Sequence, residues 1–484
     1  MKRKLFKLSI VFQSLVLLVL LQQARGQDQI AFNPVLADIT KTTSYKFIIN
    51  IPEAINAQSL ITLTFPDFFG VTTGTPTTCS LTNPVTAGVT AITGCSCSAA
   101  TFVCTITTPI QIPVSSSYIL TVGTITNPPY VPDPQKYPIS FKIQFSDGTG
   151  VLTSTTSTFS VGYVFNAGLM ETPVPTITQG TTQVNTKTTY DIKFYPLNNI
   201  LADGFVRLFM PQSCTFGSDI TVSVLVDSTY FESPSFEKNI DFNTLDISGL
   251  FPSGFTASST KSITVTVKNI YNPVYVGNSE YIRILTTNKD KNLTDYSNST
   301  LRVTTSQAGT LTAVLFEQDP PSSKVVSTAT SLFFKILPQF TFPNQGKDGA
   351  VKITFPTNFD YSTTISCNFI LGGAANATTT PSCSRSGNVI QTVDFIYASS
   401  SEIWVIISGL INPKTTEPGS FKFQTVDAVG REMCSGTPSW TYQATPATLT
   451  VNSVVRSVTN IGASTTVTLN ITTASALNQY GVIE

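Results

Sequence analysis

The chain has 484 residues, 28 of them Lys or Arg and 28 Asp or Glu, and contains no histidine. Charged residues make up 12 % of it, against roughly 25 % in ordinary soluble proteins, and the net charge is zero. The absence of a basic surface excludes nucleic acid as a partner, and the absence of imidazole excludes Ser-His-Asp and Cys-His nucleophile pairs and histidine metal sites.

The N-terminus reads as a secretory signal over residues 1–26. Lys2, Arg3, Lys4 and Lys7 form a basic segment, residues 8–21 supply the mainly apolar region, and Ala24-Arg25-Gly26 is a small-x-small cleavage site. About 14 apolar residues fall short of the roughly 20 that a membrane helix needs, and no later apolar run is long enough either. Two short phrases then recur. Leu63-Thr64-Phe65-Pro66, Leu208-Phe209-Met210-Pro211 and Ile353-Thr354-Phe355-Pro356 lie 145 positions apart. Asn127-Pro128, Asn272-Pro273 and Asn412-Pro413 follow them, 145 and 140 positions apart. Two markers with one period predict a tandem array of related units.

Each unit is predicted to open with a strand, at residues 45–51, 190–195 and 332–337. The Phe-Pro strand follows, because proline donates nothing to a strand ladder and suits its end. A Ser/Thr/Gly-rich stretch leads to an apolar strand before Asn-Pro, at 118–122, 262–267 and 403–407. Further strands are expected at 139–145, 281–285 and 421–426, and closing strands at 155–164, 299–305 and 447–451. Period-two alternation and many β-branched and aromatic residues mark these runs, and helical periodicity is nearly absent after the signal. The expected fold is all-β, a tandem array of immunoglobulin-like antiparallel β-sandwiches at 27–164, 165–305 and 306–451. Residues 452–484 read as the incomplete start of a fourth unit. Val467, Leu469 and Ile471 would share one apolar face, and Val482-Ile483 would fall in a second strand. A truncated chain is the first explanation; strand donation to a neighbouring copy is the second.

Eight cysteines behind a secretion signal imply an oxidising compartment. Cys79 and Cys95 are 16 positions apart, as are Cys367 and Cys383, and both pairs follow a Phe-Pro phrase, so they read as one bridge in two units. Cys97 and Cys104 flank a short turn and would staple a hairpin; Cys214 and Cys434 are left without an assigned partner. Zinc is disfavoured at Cys95-Ser96-Cys97, which lacks the Cys-x-x-Cys spacing. Glycosylation sequons begin at Asn292, Asn298, Asn376 and Asn470, the last on the outward side of its strand. No cofactor motif is present. Calcium is the one ion to weigh, through Glu171, Glu317 and Asp319 near unit boundaries, where the alternative is ordinary solvated acids. Pro128-Pro129-Tyr130-Val131-Pro132 reads as a rigid turn. No nucleophile-elbow, phosphate-loop or EF-hand pattern occurs, the acids show no clustered motif, and no enzyme is expected.

The Thr-Phe-Pro phrase, Ser408-Gly409-Leu410-Ile411-Asn412-Pro413 and the Ser/Thr-rich filling resemble large repetitive surface proteins of ciliated protists. They are also similar to the immunoglobulin-like repeats of microbial adhesins. The resemblance implies an extracellular array, often anchored at its far end, and assigns no catalytic or binding residue. The first functional reading is a structural or adhesive cell-surface protein whose partners are other surface or matrix proteins or glycans, with a membrane engaged only through a missing C-terminal anchor. The second is a secreted carbohydrate-binding or glycan-hydrolysing protein, which exposed aromatics beside carboxylates on a concave face would favour.

Overall fold

The computed structural model describes residues 31–34, 37–51, 54–74, 79–83, 88–91, 94–108, 111–112, 115–133, 139–146, 151–159, 165–297, 300–316, 323–340, 349–371, 378–379, 382–392 and 402–473. The signal segment, Asn298, Asn376, Glu317, Asp319 and Val482-Ile483 lie outside them. Every regular element among the described residues is a strand.

One strand order occurs three times. In the second sandwich, the first sheet runs Thr176–Gln179, Lys187–Phe194, Ile263–Tyr271, Thr215–Val226, Thr229–Phe231. Its second sheet runs Leu293–Tyr296, Arg283–Thr287, Phe205–Phe209, Thr244–Ser248, Ser235–Asn239, with Gly168–Leu169 added in parallel beside Leu293–Tyr296. The first sandwich repeats this order from Ala31–Pro34 and Thr42–Ile51 in one sheet, and from Val151–Phe159 and Ile139–Ser146 in the other. The third repeats it too, but its two sheets are continuous at one corner. There Gly309 and Thr310 pair in parallel with Cys434 and Ser435, while the rest of Gly309–Phe316 pairs antiparallel with Ala329–Pro338.

Alternation places one face of each strand inside. In Lys187–Phe194, Thr188, Tyr190, Ile192 and Phe194 are buried while their neighbours face outward. Each sandwich has its own core, aromatic in the first (Tyr45, Phe47, Phe65, Phe69, Phe141) and largely aliphatic in the second. Phe-Pro marks the crossing between sheets: the residue three beyond proline donates its N–H to the proline carbonyl, as Phe69 to Pro66, Cys214 to Pro211 and Phe359 to Pro356 at 3.1, 3.0 and 3.2 Å.

Two closing strands differ from expectation. The second sandwich uses Leu293–Tyr296 and the third uses Glu432–Gly436, both short runs with weak alternation. A strand does form within the expected 299–305 stretch, Arg302–Thr305, but it pairs with Gly277–Tyr281. The stretch expected to close the third instead begins a separate hairpin, Thr450–Arg456 with Val467–Thr472. Val467 and Leu469 of that hairpin are exposed and Asn470 is on its surface.

Candidate functional site: the joints between sandwiches

The Asn-Pro marker proves to be the hub of each sandwich's exit. Asn127, Asn272 and Asn412 are all buried. Asn272 donates through Nδ2 to the carbonyls of Thr181 and Gln183 at 2.9 and 2.7 Å, in the loop before the opening strand. Asn127 holds the Asp38 carbonyl at 2.6 Å, and Asn412 holds those of Ser323 and Val325 at 2.6 and 2.8 Å. The same loop grips the outgoing chain through parallel bridges, Asp38 with Asn166, Gln183 with Gln307 and Val325 with Thr445. A buried tyrosine hydroxyl donates to each asparagine Oδ1: Tyr45 to Asn127 and Tyr190 to Asn272. In the third sandwich the position equivalent to Tyr190 is Leu332, since both pair five residues before the asparagine. There the hydroxyl comes from Tyr442 on the exit segment, 2.7 Å from Asn412 Oδ1. Burial pushes the Tyr190 and Tyr442 hydroxyls up from their ordinary range, so they stay protonated donors.

Four residues beyond the asparagine the chain reaches the next sandwich. Val131 N–H donates to the Leu293 carbonyl and Val276 N–H to the Glu432 carbonyl, each at 2.7 Å. Leu293 and Glu432 both begin the closing strand of the following sandwich. The two joints are therefore built alike, from backbone atoms. The corresponding segment of the third sandwich, residues 414–418, is exposed.

Side chains reinforce each joint differently. At the first, Thr40 donates to Asn198 Oδ1 at 2.8 Å, and Asn198 Nδ2 donates to the buried Asp295 carboxylate at 2.7 Å. Thr286 donates to the same carboxylate at 3.1 Å. Burial raises the Asp295 pKa to about 6 against the lowering effect of these donors. At the second joint Tyr275 is buried against the core of the third sandwich, and the Arg431 guanidinium lies 3.2 Å over its ring. Asp427 fixes that guanidinium through Nε at 2.7 Å.

Cys79–Cys95, Cys97–Cys104 and Cys367–Cys383 are bridged, with Cα separations of 6.4, 4.0 and 5.9 Å. Cys214 and Cys434 are buried thiols. Cys214 stands 145 positions after Phe69 and 145 before Phe359 and fills their place in the core; burial pushes its thiol up to about 12. The Asn292 sequon meets an obstacle. Asn292 and Thr294 are buried and the Asn292 Nδ2 is shut off from solvent, so the folded sandwich has no room for a glycan there. Glu171 is exposed, and among the described residues no three His, Cys, Asp or Glu side chains converge to hold a metal ion. No described helix is long and apolar enough to cross a membrane.

No family model matches the sequence, and no curated protein matches it. Solved structures similar to it include domains of bacterial surface proteins. The C-terminal domain of the Streptococcus pyogenes antigen I/II-family protein AspA is 10 % identical over 55 % of this chain and 98 % of its own, with a TM-score of 0.21. The corresponding domain of Streptococcus agalactiae BspA is 10 % identical over 56 % and 100 %, with a TM-score of 0.23. A partial N-terminal region of enterococcal surface protein is 10 % identical over 56 % and 93 %, with a TM-score of 0.21. Scores of this size leave function to be argued from the chain's own residues.

Proposed function

We propose that the protein is an extracellular structural or adhesive cell-surface array. In this reading residues 1–26 direct secretion, 27–164, 165–305 and 306–451 are homologous units, and 452–484 open another. Asn298, Asn376 and Asn470 remain the glycan sites, and the partners are surface or matrix proteins or glycans. The observation that carries the proposal is the joint made twice in the same way. An array transmits position or load only if successive units are held in register, and a hydrogen bond from the segment that follows the asparagine hub to the next closing strand supplies that register. The cross-links suit an oxidising exterior.

Replacing Val131 and Val276 by Pro deletes both donors. Small-angle scattering should then report a wider distribution of dimensions, with the separate unfolding transitions retained in calorimetry. Unchanged scattering from the double variant would sink the reading. A second reading, carbohydrate binding, is favoured by one face of the second sandwich.

A further inference from the structure

Three equivalent outer faces allow an internal comparison. Along one cross-strand row the first sandwich presents Thr62, Thr105 and Ser96, and the third presents Lys352, Gln391 and Ser384. The second presents Arg207, Asp246 and Glu237 at the same register positions. Lys291 leans onto this row from a loop, 3.1 Å from Asp246 and 3.4 Å from Glu237. Arg207 grips Asp246 through two nitrogens, the Nη2 contact being 2.6 Å. The fold does not need this cluster of opposite charges, because the first sandwich has no charge in the row and the third only Lys352.

The adjoining hairpin tip is also special to the second sandwich. Residues 240–243 present Ile240 and Phe242 at 72 % and 67 % exposure. The tip is held rigidly: Asn239 Oδ1 accepts from the Phe242 N–H at 3.2 Å, and Asn243 Nδ2 donates to the Pro211 and Cys214 carbonyls. Phe242 and Phe209 flank a cleft of about 310 Å³ whose other walls are the charged row and Asn239.

We propose that this cleft binds an uncharged saccharide unit, with its C–H face on Phe242 or Phe209 and its hydroxyls on Glu237, Asn239 and Arg207. Two cations and two carboxylates compensate one another, so the cleft does not select an ion by net charge. They still present fixed donors and acceptors side by side, which suits hydroxyls that both give and take hydrogen bonds. The volume admits one or two sugar rings, at the lower end of small-ligand pockets. Binding is favoured over hydrolysis at this place. Burial pushes the Asp246 carboxyl up, but hydrogen bonds from Arg207 and Lys291 outweigh it and hold it below the usual range, so it carries no proton to donate to a leaving group. The proposal stands apart from the joint reading, since the proline variants above leave this face untouched.

The test is an array of immobilised oligosaccharides ending in glucose, galactose, mannose or N-acetylhexosamine, with sialylated and sulfated probes beside them, applied to the full chain. At least one uncharged probe should be retained. Phe242→Ser and Glu237→Gln, both at exposed side chains that do not threaten the fold, should each weaken it by about tenfold or more, as expected for losing a stacking face or a charged hydrogen-bond partner. Lys352→Ala, on the matching face of the third sandwich, should change nothing. Retention of no uncharged probe, preference for the acidic probes, or affinity indifferent to both variants would overturn the proposal.

Discussion

The first and second sandwiches have one topology and hold it by different means. The first carries two disulfides and an interlocking aromatic core; the second has no disulfide and a buried polar layer around Asn198, Thr286 and Asp295. Their turns differ in the same sense. Both need a left-handed residue at equivalent places. The first fills them with Thr40, Gln58, Phe102 and Thr124, and the second with Asn185, Asp203, Asn243 and Asn269. Asn and Asp tolerate that conformation, whereas a β-branched or bulky residue there costs about 1–2 kcal/mol. Covalent closure and well-suited turns are thus alternative ways to reach one fold, and a sandwich with the first can carry poorer turns.

The largest expected effect comes from removing the cross-links. Replacing Cys79, Cys95, Cys97 and Cys104 together by Ala should destabilise the first sandwich by about 4–6 kcal/mol, at roughly 2–3 kcal/mol per bridge, and leave the second transition in place. Calorimetry of the full chain reads this; a second transition that moved equally would break the contrast.

Next is the hub. Asn272→Ala strands the Tyr190 hydroxyl and two loop carbonyls and should cost the second sandwich about 3 kcal/mol. Asn127→Ala should act likewise on the first, because the hub is common to both. Denaturant titration followed by limited proteolysis assigns each loss to its sandwich.

Acidity should separate them further. Asp295 has a folded pKa of about 6, above the ordinary 3.8. Its contribution is therefore fully present below about pH 4 and is lost as pH rises through 6, a change of about 3 kcal/mol at most. The second transition should fall across that window, and Asp295→Asn should flatten the dependence. A profile that stays steep in the variant would remove Asp295 as its source.

The smallest effect sharpens the turn argument. Thr124→Asn, borrowing the residue of the second sandwich, should raise the first by about 1 kcal/mol, and Asn269→Thr should lower the second by as much. The third sandwich has Gly409 at this position, where an added Cβ would meet the Thr364 carbonyl oxygen, so Gly409→Ala should be more damaging than either.

Much of the architecture was legible because the markers sit where the backbone has special needs. Phe-Pro is the inter-sheet crossing and Asn-Pro is the hub, so both recur with the period of the fold. Apolar central strands such as Ile263–Tyr271 announce themselves by alternation. The closing strands do not: Leu293–Tyr296 and Glu432–Gly436 are short and lack clear alternation, and their pairing is decided by the sheet they join. The hub was legible as a repeat but not as chemistry. Tyr45 and Tyr190 share the 145-residue spacing, but in the third sandwich the hydroxyl moves to Tyr442, from another part of the chain. Nor could the Asn292 sequon reveal its burial, which follows from the neighbouring polar layer. The saccharide cleft had no linear signature, since Arg207, Glu237, Asp246 and Lys291 meet only through strand register.

The joints have a consequence for how such a chain can grow. Each is made from one N–H and one carbonyl of the main chain, which every residue but proline offers in the same form. A newly copied unit would carry both halves of the contact with it, the reaching segment after Asn-Pro and the receiving end of its closing strand. It would mate with any sister in the row without compensating substitutions. Side chains at the boundary are then free to diverge, as the Thr40–Asn198 contact and the Arg431–Tyr275 stack have done, while the connection itself stays interchangeable.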